Sequence, residues 1–329
     1  MCGIAGLLSI TGSRPVDGGV LKAMGDSMAH RGPDGDGQWV SPYRRIGFVH
    51  RRLAIVDLSD NAAQPMSDAG ETIWVTFNGE IYNHLGLRRE LEKSGHRFRT
   101  DHSDTEVLVH GFKEWGIDGL IKRLDGMFAF ALWDETAKRL FIVRDRIGIK
   151  PLYFTKAGGA FRFASEIKAI LADAEVPRAI EPAALNHYLS FMVAPAPLTM
   201  FKDIFKLPAG HVMEIDPSGR LSARRYWDAV PGKGIDPAET RGVSEAALED
   251  FYVTGIRNRL EAGIEKRMMS DVPFGVFLSG GIDSSANVAL MSRMMDRPVD
   301  TFTVGFKDHT HLNELDYASR VAKDFKTNH

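Results

Sequence analysis

Short runs rich in aromatic and β-branched residues, broken by turn residues, recur through the first two hundred positions and predict strands over 46–49, 73–77, 128–133, 140–144, 152–155 and 161–164. The small apolar run Gly3-Ile4-Ala5-Gly6-Leu7-Leu8 predicts another at the very start. Segments 85–94 and 104–115 carry helical spacing instead, and Ser103, with Glu106 three residues on, reads as the N-cap of the second. Both helices should pack on a sheet, so residues 1–229 read as an α+β unit.

Pro and Gly punctuate 230–242, which reads as a linker. Beyond it, Leu248, Tyr252, Ile256, Leu260 and Ile264 recur every fourth residue and predict one amphipathic helix over 244–269. An apolar strand over 272–278 then enters the turn Ser279-Gly280-Gly281, followed by a helix over 283–295 and a strand over 300–306. This is a β-α-β unit of a parallel sheet. A last helix over 313–325 gathers Leu315, Ala318, Val321, Ala322 and Phe325 on one face. Two strands and two helices are too few for a sheet covered on both faces, so 243–329 reads as the start of an α/β domain cut short.

Composition narrows the function classes. The chain has 329 residues, 44% hydrophobic and 26% charged, and its formal charge of -2 offers no basic stripe for nucleic acid. No apolar run approaches the roughly 20 residues that cross a bilayer, and no basic leader opens the chain, so a cytoplasmic protein is expected. One cysteine excludes an internal disulfide and a cysteine metal cage.

That cysteine is Cys2. Removal of Met1 would leave thiol and α-amine on one residue, on adjacent carbons. With reference pKa values of about 7.7–8.0 for the amine and about 8.5 for the thiol, the amine can take the thiol proton near neutrality. Attack on an amide needs donors for the oxyanion, and Asn78-Gly79 offers a side-chain amide beside an unobstructed backbone N–H. The competing reading of Asn-Gly is a hairpin turn. Arg52 suits the α-carboxylate of a small amino-acid substrate, with Arg51 its competitor. Asp104 suits the ammonium, with Glu80 second, although Asp104 would also favour the start of a helix. The tract His30-Arg31-Gly32-Pro33-Asp34-Gly35 reads as a turn-rich loop. The turn at Ser279 to Ser285 lies where a strand passes into a helix, so N–H groups and hydroxyls converge as they would on phosphate, without the lysine of a Walker A loop.

The motifs MCGIAG, HRGPDG, HRRLAIVD, NGEIYNH, SDTE, LDGMFAFALWD, RDRIGIKPLYF, FASEIKAI, FLSGGIDSS and TFTVGF, in that order, resemble those of glutamine-hydrolysing asparagine synthetases along essentially the whole chain. The resemblance implies a class II glutamine amidotransferase domain with the αββα sandwich of N-terminal nucleophile hydrolases, then an incomplete ATP-pyrophosphatase domain, adenine nucleotide alpha-hydrolase-like. It implies Cys2 as nucleophile, Asn78 and Gly79 as oxyanion hole, and a glutamine pocket of Arg52, Leu53, Ala54, Ile55, Val56, Asn78, Gly79, Glu80 and Asp104. For ATP it implies Leu278, Ser279, Gly280, Gly281, Asp283, Ser284, Ser285 and Val304, with Asp283 helping to organise magnesium. No prosthetic group is implied.

The implied reaction hydrolyses glutamine to glutamate and ammonia, which then attacks β-aspartyl-AMP to give asparagine, AMP and pyrophosphate. The small-molecule partners are glutamine, aspartate and ATP, with no nucleic acid or membrane. The family's synthetase domain continues past the point where this chain stops, so the polypeptide alone is expected to perform the glutaminase half. Exposed edges of an incomplete sheet would favour a homodimer. Two rivals stand beside this reading: an amidotransferase serving a different adenylated carboxylate, and a non-catalytic interaction module.

Overall fold

The computed structural model describes residues 1–10, 15–230, 241–308 and 313–329, and the chain divides into two compact units, Met1–Ala229 and Val230–His329. The 230–242 linker assignment falls almost wholly outside the described residues.

The first unit runs β1 (Gly3–Ser9), α1 (Gly18–Asp26), β2 (Gly35–Val40), β3 (Ile46–Arg52), β4 (Met66–Ser67), β5 (Ile73–Ile81), α2 (His84–Lys93), α3 (Glu106–Arg123), β6 (Gly126–Asp134) and β7 (Arg139–Arg144). It continues through β8 (Tyr153–Ala157), β9 (Ala160–Ala164), α4 (Ile167–Ile170), α5 (Pro182–Phe191), β10 (Ile204–Lys206), β11 (His211–Ile215) and β12 (Leu221–Arg225). Two six-stranded antiparallel sheets result, ordered β10-β8-β9-β1-β3-β2 and β12-β11-β7-β6-β5-β4.

Strand alternation sorts the side chains into three apolar layers. Ile4, Leu8, Ile46, Phe48, Ala129, Ala131 and Phe163 fill the space between the sheets. Ala5, Leu7 and Val49, on the opposite faces of β1 and β3, pack with Leu21 and Met24 of α1. Val75, Phe77, Phe128 and Phe130 face Leu87, Leu91, Val107 and Leu108 of α2 and α3. The order is helix, sheet, sheet, helix, as expected. Trp39 of β2 and Trp74 of β5 stack across the interface with ring centroids 4.3 Å apart and planes 15° from parallel.

One competing reading falls away, and one local expectation needs correction. Asn78 and Gly79 lie within the nine-residue strand β5, paired with Ala129 and Phe128 of β6, so the Asn-Gly step makes no hairpin turn. Ser103 does not cap α3; the cap residue is Thr105, with no side-chain cap, while Ser103 Oγ accepts the Thr105 N–H at 3.3 Å. Glu106 is spent elsewhere, accepting the N–H groups of Arg99 and Thr100, each at 2.8 Å. The predicted end of that helix at 115 marks a real break: Gly116 sits at φ 65° and kinks it before it resumes.

The second unit contains α6 (Glu245–Arg267), β13 (Val276–Phe277), α7 (Ile282–Met294), β14 (Thr301–Phe302) and α8 (Leu315–Asp324). β13 and β14 pair in parallel, Val276 opposite Thr301. The strands are shorter than expected, and beside β14 an isolated parallel bridge joins Asp300 to Asn328. Leu278, Val288, Ala318 and Ala322 form a small core. The stripe expected to bury α6 is not covered: Tyr252, Ile256 and Leu260 are exposed, and no described residue of that helix is buried.

Candidate active site

Cys2 immediately precedes β1, in step with Ile4 and Leu8, whose side chains fill the layer between the sheets. Its Sγ accepts the Leu53 N–H at 3.4 Å and lies 3.5 Å from the Leu53 carbonyl. Burial pushes the thiol pKa up; the Leu53 N–H, the terminal ammonium and the Arg52 guanidinium oppose that, and the Asp104 charge adds to it. The sulfur therefore sits within electrostatic reach of three other groups singled out in the sequence.

Alternation along β3 separates the two arginines. Arg51 turns outward to α1, where its Nε donates to the Gly25 carbonyl at 3.1 Å and its guanidinium pairs with Asp26. Arg52, on the opposite face, donates to the Ser59 carbonyl at 3.0 Å and to the Asp57 carbonyl. It thereby ties down the loop carrying Leu53, Ala54, Ile55 and Val56, all half-buried. Between the sheets His50 is fully buried and held neutral, its pKa lowered to about 3 by burial and by the Arg52 charge. Its Nδ1 lies 3.3 Å from Thr76 Oγ1 on the facing sheet.

The same alternation aims β5. Ile73, Val75 and Phe77 face the helices, so Thr76, Asn78 and Glu80 face the sheet of Cys2. Asn78 is 1% exposed and its Nδ2 has no hydrogen-bond partner. A buried amide donor without an acceptor costs roughly 1–3 kcal/mol, and this one is available to a ligand.

Gly79 presents a second donor. Its neighbour Phe128 turns both backbone groups toward Asp145, accepting that residue's N–H at 2.8 Å and donating to its Oδ2 at 3.2 Å. Gly79 and Phe128 are therefore a non-hydrogen-bonded pair, and the Gly79 N–H points out of the sheet edge past β4. Along that edge side chains replace the missing strand: Asp68 Oδ1 takes the Ile73 N–H at 2.9 Å, Gln64 Oε1 takes that of Phe77 at 2.7 Å, and Asp104 Oδ2 takes that of Ile81 at 3.0 Å. A Cβ on Gly79 would come within 2.2 Å of the Met127 carbonyl oxygen.

Asp104 is fully enclosed; burial raises its pKa to about 7, the Glu80 charge adds to this, and the Ile81 N–H opposes it. Three further residues join the site that sequence reasoning had not placed there. Arg31 Nε donates to the Cys2 carbonyl at 2.9 Å while its other arm pairs with Glu166 at 2.9 Å. Asp34 Oδ2 accepts the Ala54 N–H at 2.9 Å. The tract read as a turn-rich loop thus braces both Cys2 and its facing segment. Its signal was Gly32, where a Cβ would fall 2.3 Å from the Arg51 carbonyl carbon. Lys150 is 5% exposed; burial lowers its pKa, and the charges of Glu80, Cys2 and Asp145 oppose that. Among the described residues no cluster of His, Cys, Asp and Glu could hold a metal ion.

In the second unit Gly281 caps α7 and Gly280 adopts φ +81°, with its Cα against Tyr317. Ser279 Oγ lies 3.0 Å from Ser284 Oγ, and Ser285 Oγ is buried with no partner. Asp283 falls in the first turn of α7. The Leu278 side chain belongs to the small core, whereas Val304 is 70% exposed.

Comparison with known proteins gives the family. The family model described as glutamine amidotransferase domain matches residues 1–227, and that described as asparagine synthase matches 255–329. The chain is 38% identical over 303 residues to asparagine synthetase [glutamine-hydrolyzing] 1 of Bacillus subtilis, covering 92% of this chain and 45% of the relative. It is 34% identical over 316 residues to asparagine synthetase [glutamine-hydrolyzing] 3 of the same organism, covering 94% and 49%. The chain thus spans about half the length of these curated relatives. Among solved structures, a glutamine phosphoribosylpyrophosphate amidotransferase from B. subtilis aligns with TM-score 0.51 and 19% identity over 70% of this chain and 50% of that one, a likeness of fold.

Proposed function

We propose, since the chain belongs to the glutamine amidotransferase domain family through residues 1–227, that its first unit hydrolyses the side-chain amide of glutamine with Cys2 as nucleophile. The observation that carries this reading is the buried Asn78 Nδ2 without an acceptor, beside the outward-facing Gly79 N–H. Removal of Met1 frees the Cys2 amine to take the thiol proton. The thiolate adds to the amide carbon, and Asn78 and Gly79 hold the oxygen that gains the charge. Ammonia leaves with the transferred proton; water then splits the thioester to release glutamate and restore the thiol.

Glutamine is held at its other end. Arg52 and the segment Leu53 to Val56 receive the α-carboxylate, and Asp104 with Glu80 receives the ammonium. Burial of the Cys2 thiol leaves little thiolate before substrate arrives, which makes the transfer to the amine part of the reaction.

For the intact protein the reading extends to amidation of ATP-activated aspartate, which the asparagine synthase match at 255–329 supports. The residues present suit a phosphate: a Gly-Gly turn enters a thirteen-residue helix, and Ser285 Oγ is a buried hydroxyl with no partner. Ser279, Gly280, Gly281, Ser284 and Ser285 would hold the phosphates of ATP, with Leu278 and Val304 flanking the nucleotide. Asp283 would orient a magnesium ion, which neutralises phosphate charge when bound. Domain limits of 1–229 and 243–329, a cytoplasmic setting and self-association complete the reading.

The test is glutamate release from glutamine by the parent and by Cys2→Ala, with the N-terminal residue identified by mass spectrometry. Loss of release in the variant, and a parent starting at Cys2, are expected. Turnover by Cys2→Ala, or full activity with Met1 retained, would overturn the assignment.

A further inference from the structure

Among the described residues the edge of β5 that presents Gly79 has no strand beside it at that point, yet the N–H groups flanking Gly79 along it are fixed. One is the Ile81 N–H, held by Asp104. The other is the Phe77 N–H, held at 2.7 Å by Gln64 Oε1, in a bond buried between residues distant in sequence. The other half of the same amide is also engaged: Gln64 Nε2 donates to Thr105 Oγ1 at 3.2 Å. Thr105 directly follows Asp104. Gln64 is itself 8% exposed. Its main chain is pressed onto the other sheet, since a Cβ on Gly37 of β2 would lie 2.0 Å from the Gln64 carbonyl oxygen.

We propose that Gln64 is a positioning residue for glutamine hydrolysis. One end of its amide sets the stretch of β5 that aims the Gly79 N–H, and the other sets the segment that aims the Asp104 carboxylate. An amide is the group that serves here, because it accepts at one end and donates at the other. A hydrophobic side chain of the same length would leave the Phe77 N–H buried without an acceptor. The spacing of oxyanion donor and ammonium acceptor would then rest on the Asp104–Ile81 bond alone. The inference rests on the glutaminase reading above, and its position in the geometry gives the two ends separate kinetic signatures.

The experiment compares kcat and KM for glutamine in the parent, Gln64→Met, Gln64→Glu and Thr105→Val, each normalised to the thiol titrated on Cys2 so that unfolded protein does not count. Gln64→Met, which loses both bonds, is expected to lower kcat about 10- to 100-fold and to raise KM. Gln64→Glu keeps an acceptor for Phe77, and its second oxygen can accept the Thr105 hydroxyl, so it should restore kcat to within about threefold of the parent. Thr105→Val should act mainly on KM. Gln64→Met with kcat within twofold of the parent would overturn the proposal, as would Gln64→Glu losing kcat as far as Gln64→Met. If Gln64→Met does not fold, Gln64→Glu losing more than about tenfold in kcat, or Thr105→Val leaving KM within about twofold of the parent, would overturn the proposal. Activity in Cys2→Ala would sink the glutaminase reading itself, whereas an inactive Cys2→Ala beside an unaffected Gln64→Met would sink only this inference.

Discussion

Asp104 accepts the backbone N–H of Ile81 at 3.0 Å, two residues along the strand edge from Gly79. The carboxylate is thereby committed to the scaffold, and the backbone N–H groups of Asp104 and Thr105 also stabilise its charge. The bond is an extension of sheet pairing by a side chain, so the acid shares the rigidity of the strand it completes.

Because burial first, and the Glu80 charge second, raise the Asp104 pKa to about 7, the free enzyme loses the ionised acid as pH falls through neutrality. For glutamine, kcat/KM should therefore drop about tenfold per pH unit below that value, chiefly through KM. Asp104→Asn should remove this acid limb and lower kcat/KM by at least about 100-fold at pH 8. Steady-state kinetics between pH 5.5 and 8.5, values chosen to straddle the cited pKa, will read both effects, and an unchanged limb in the variant would reject the assignment.

Asn78 should trade stability for rate. Its unpartnered Nδ2 contributes nothing to the resting fold, so Asn78→Leu, similar in size and without the stranded donor, should keep or raise the melting temperature. The same change should lower kcat by about 100- to 1000-fold, the usual cost of one oxyanion donor. A variant both fully active and more stable would show that the amide does no work on the substrate.

Gly79→Ala should fail for a different reason. The added methyl would lie 2.2 Å from the Met127 carbonyl oxygen and 2.7 Å from the Phe128 Cα, both backbone atoms that cannot turn aside. β5 and β6 would have to separate locally. The expected cost is about 1–3 kcal/mol in denaturant unfolding, with kcat reduced at least tenfold because the N–H moves with the strand.

His50 and Asp104 should pull the pH dependence of stability in opposite directions. The folded-state pKa of His50 lies near 3 against 6.5 unfolded, so the unfolded chain binds the extra proton and stability is lost as pH falls below 6.5. The folded-state pKa of Asp104 lies near 7 against 3.8, so the folded chain binds the extra proton and stability is lost as pH rises from 3.8 toward 7. Between about pH 4.5 and 6 the two slopes, each about 1.4 kcal/mol per pH unit at most, nearly cancel. His50→Gln should leave stability falling with pH in that window, and Asp104→Asn should leave it rising. Urea unfolding at several pH values distinguishes them, and matching slopes in the two variants would contradict both assignments.

The sheet interiors were legible from sequence because β-branched and aromatic runs mark strand centres, and the observed strands contain most of the expected runs. Their ends were not, since β5 continues through Asn78-Gly79-Glu80 for a tertiary reason: β6 lies alongside and supplies the ladder. Local turn chemistry cannot register a neighbour fifty residues away. Ser103 failed as a cap on the same ground, because Glu106 is drawn to Arg99 and Thr100.

The site divides similarly. Cys2, Asn78, Gly79, Arg52 and Asp104 stood out as candidates because each has a residue type suited to one chemical task. Arg31, Asp34, Gln64 and Lys150 did not, because their place depends on which backbone groups lack partners once the sheets are stacked. On α6 the fourfold spacing gave the helix correctly but not its surroundings, as Tyr252, Ile256 and Leu260 stay exposed.

The stacked indoles of Trp39 and Trp74 belong to opposite sheets, and one of them lies four residues before Asn78 on the same strand. Their coupling makes the protein its own optical gauge. A widening of the sandwich as glutamine enters would register as altered exciton circular dichroism and a change in intrinsic fluorescence, with no label attached.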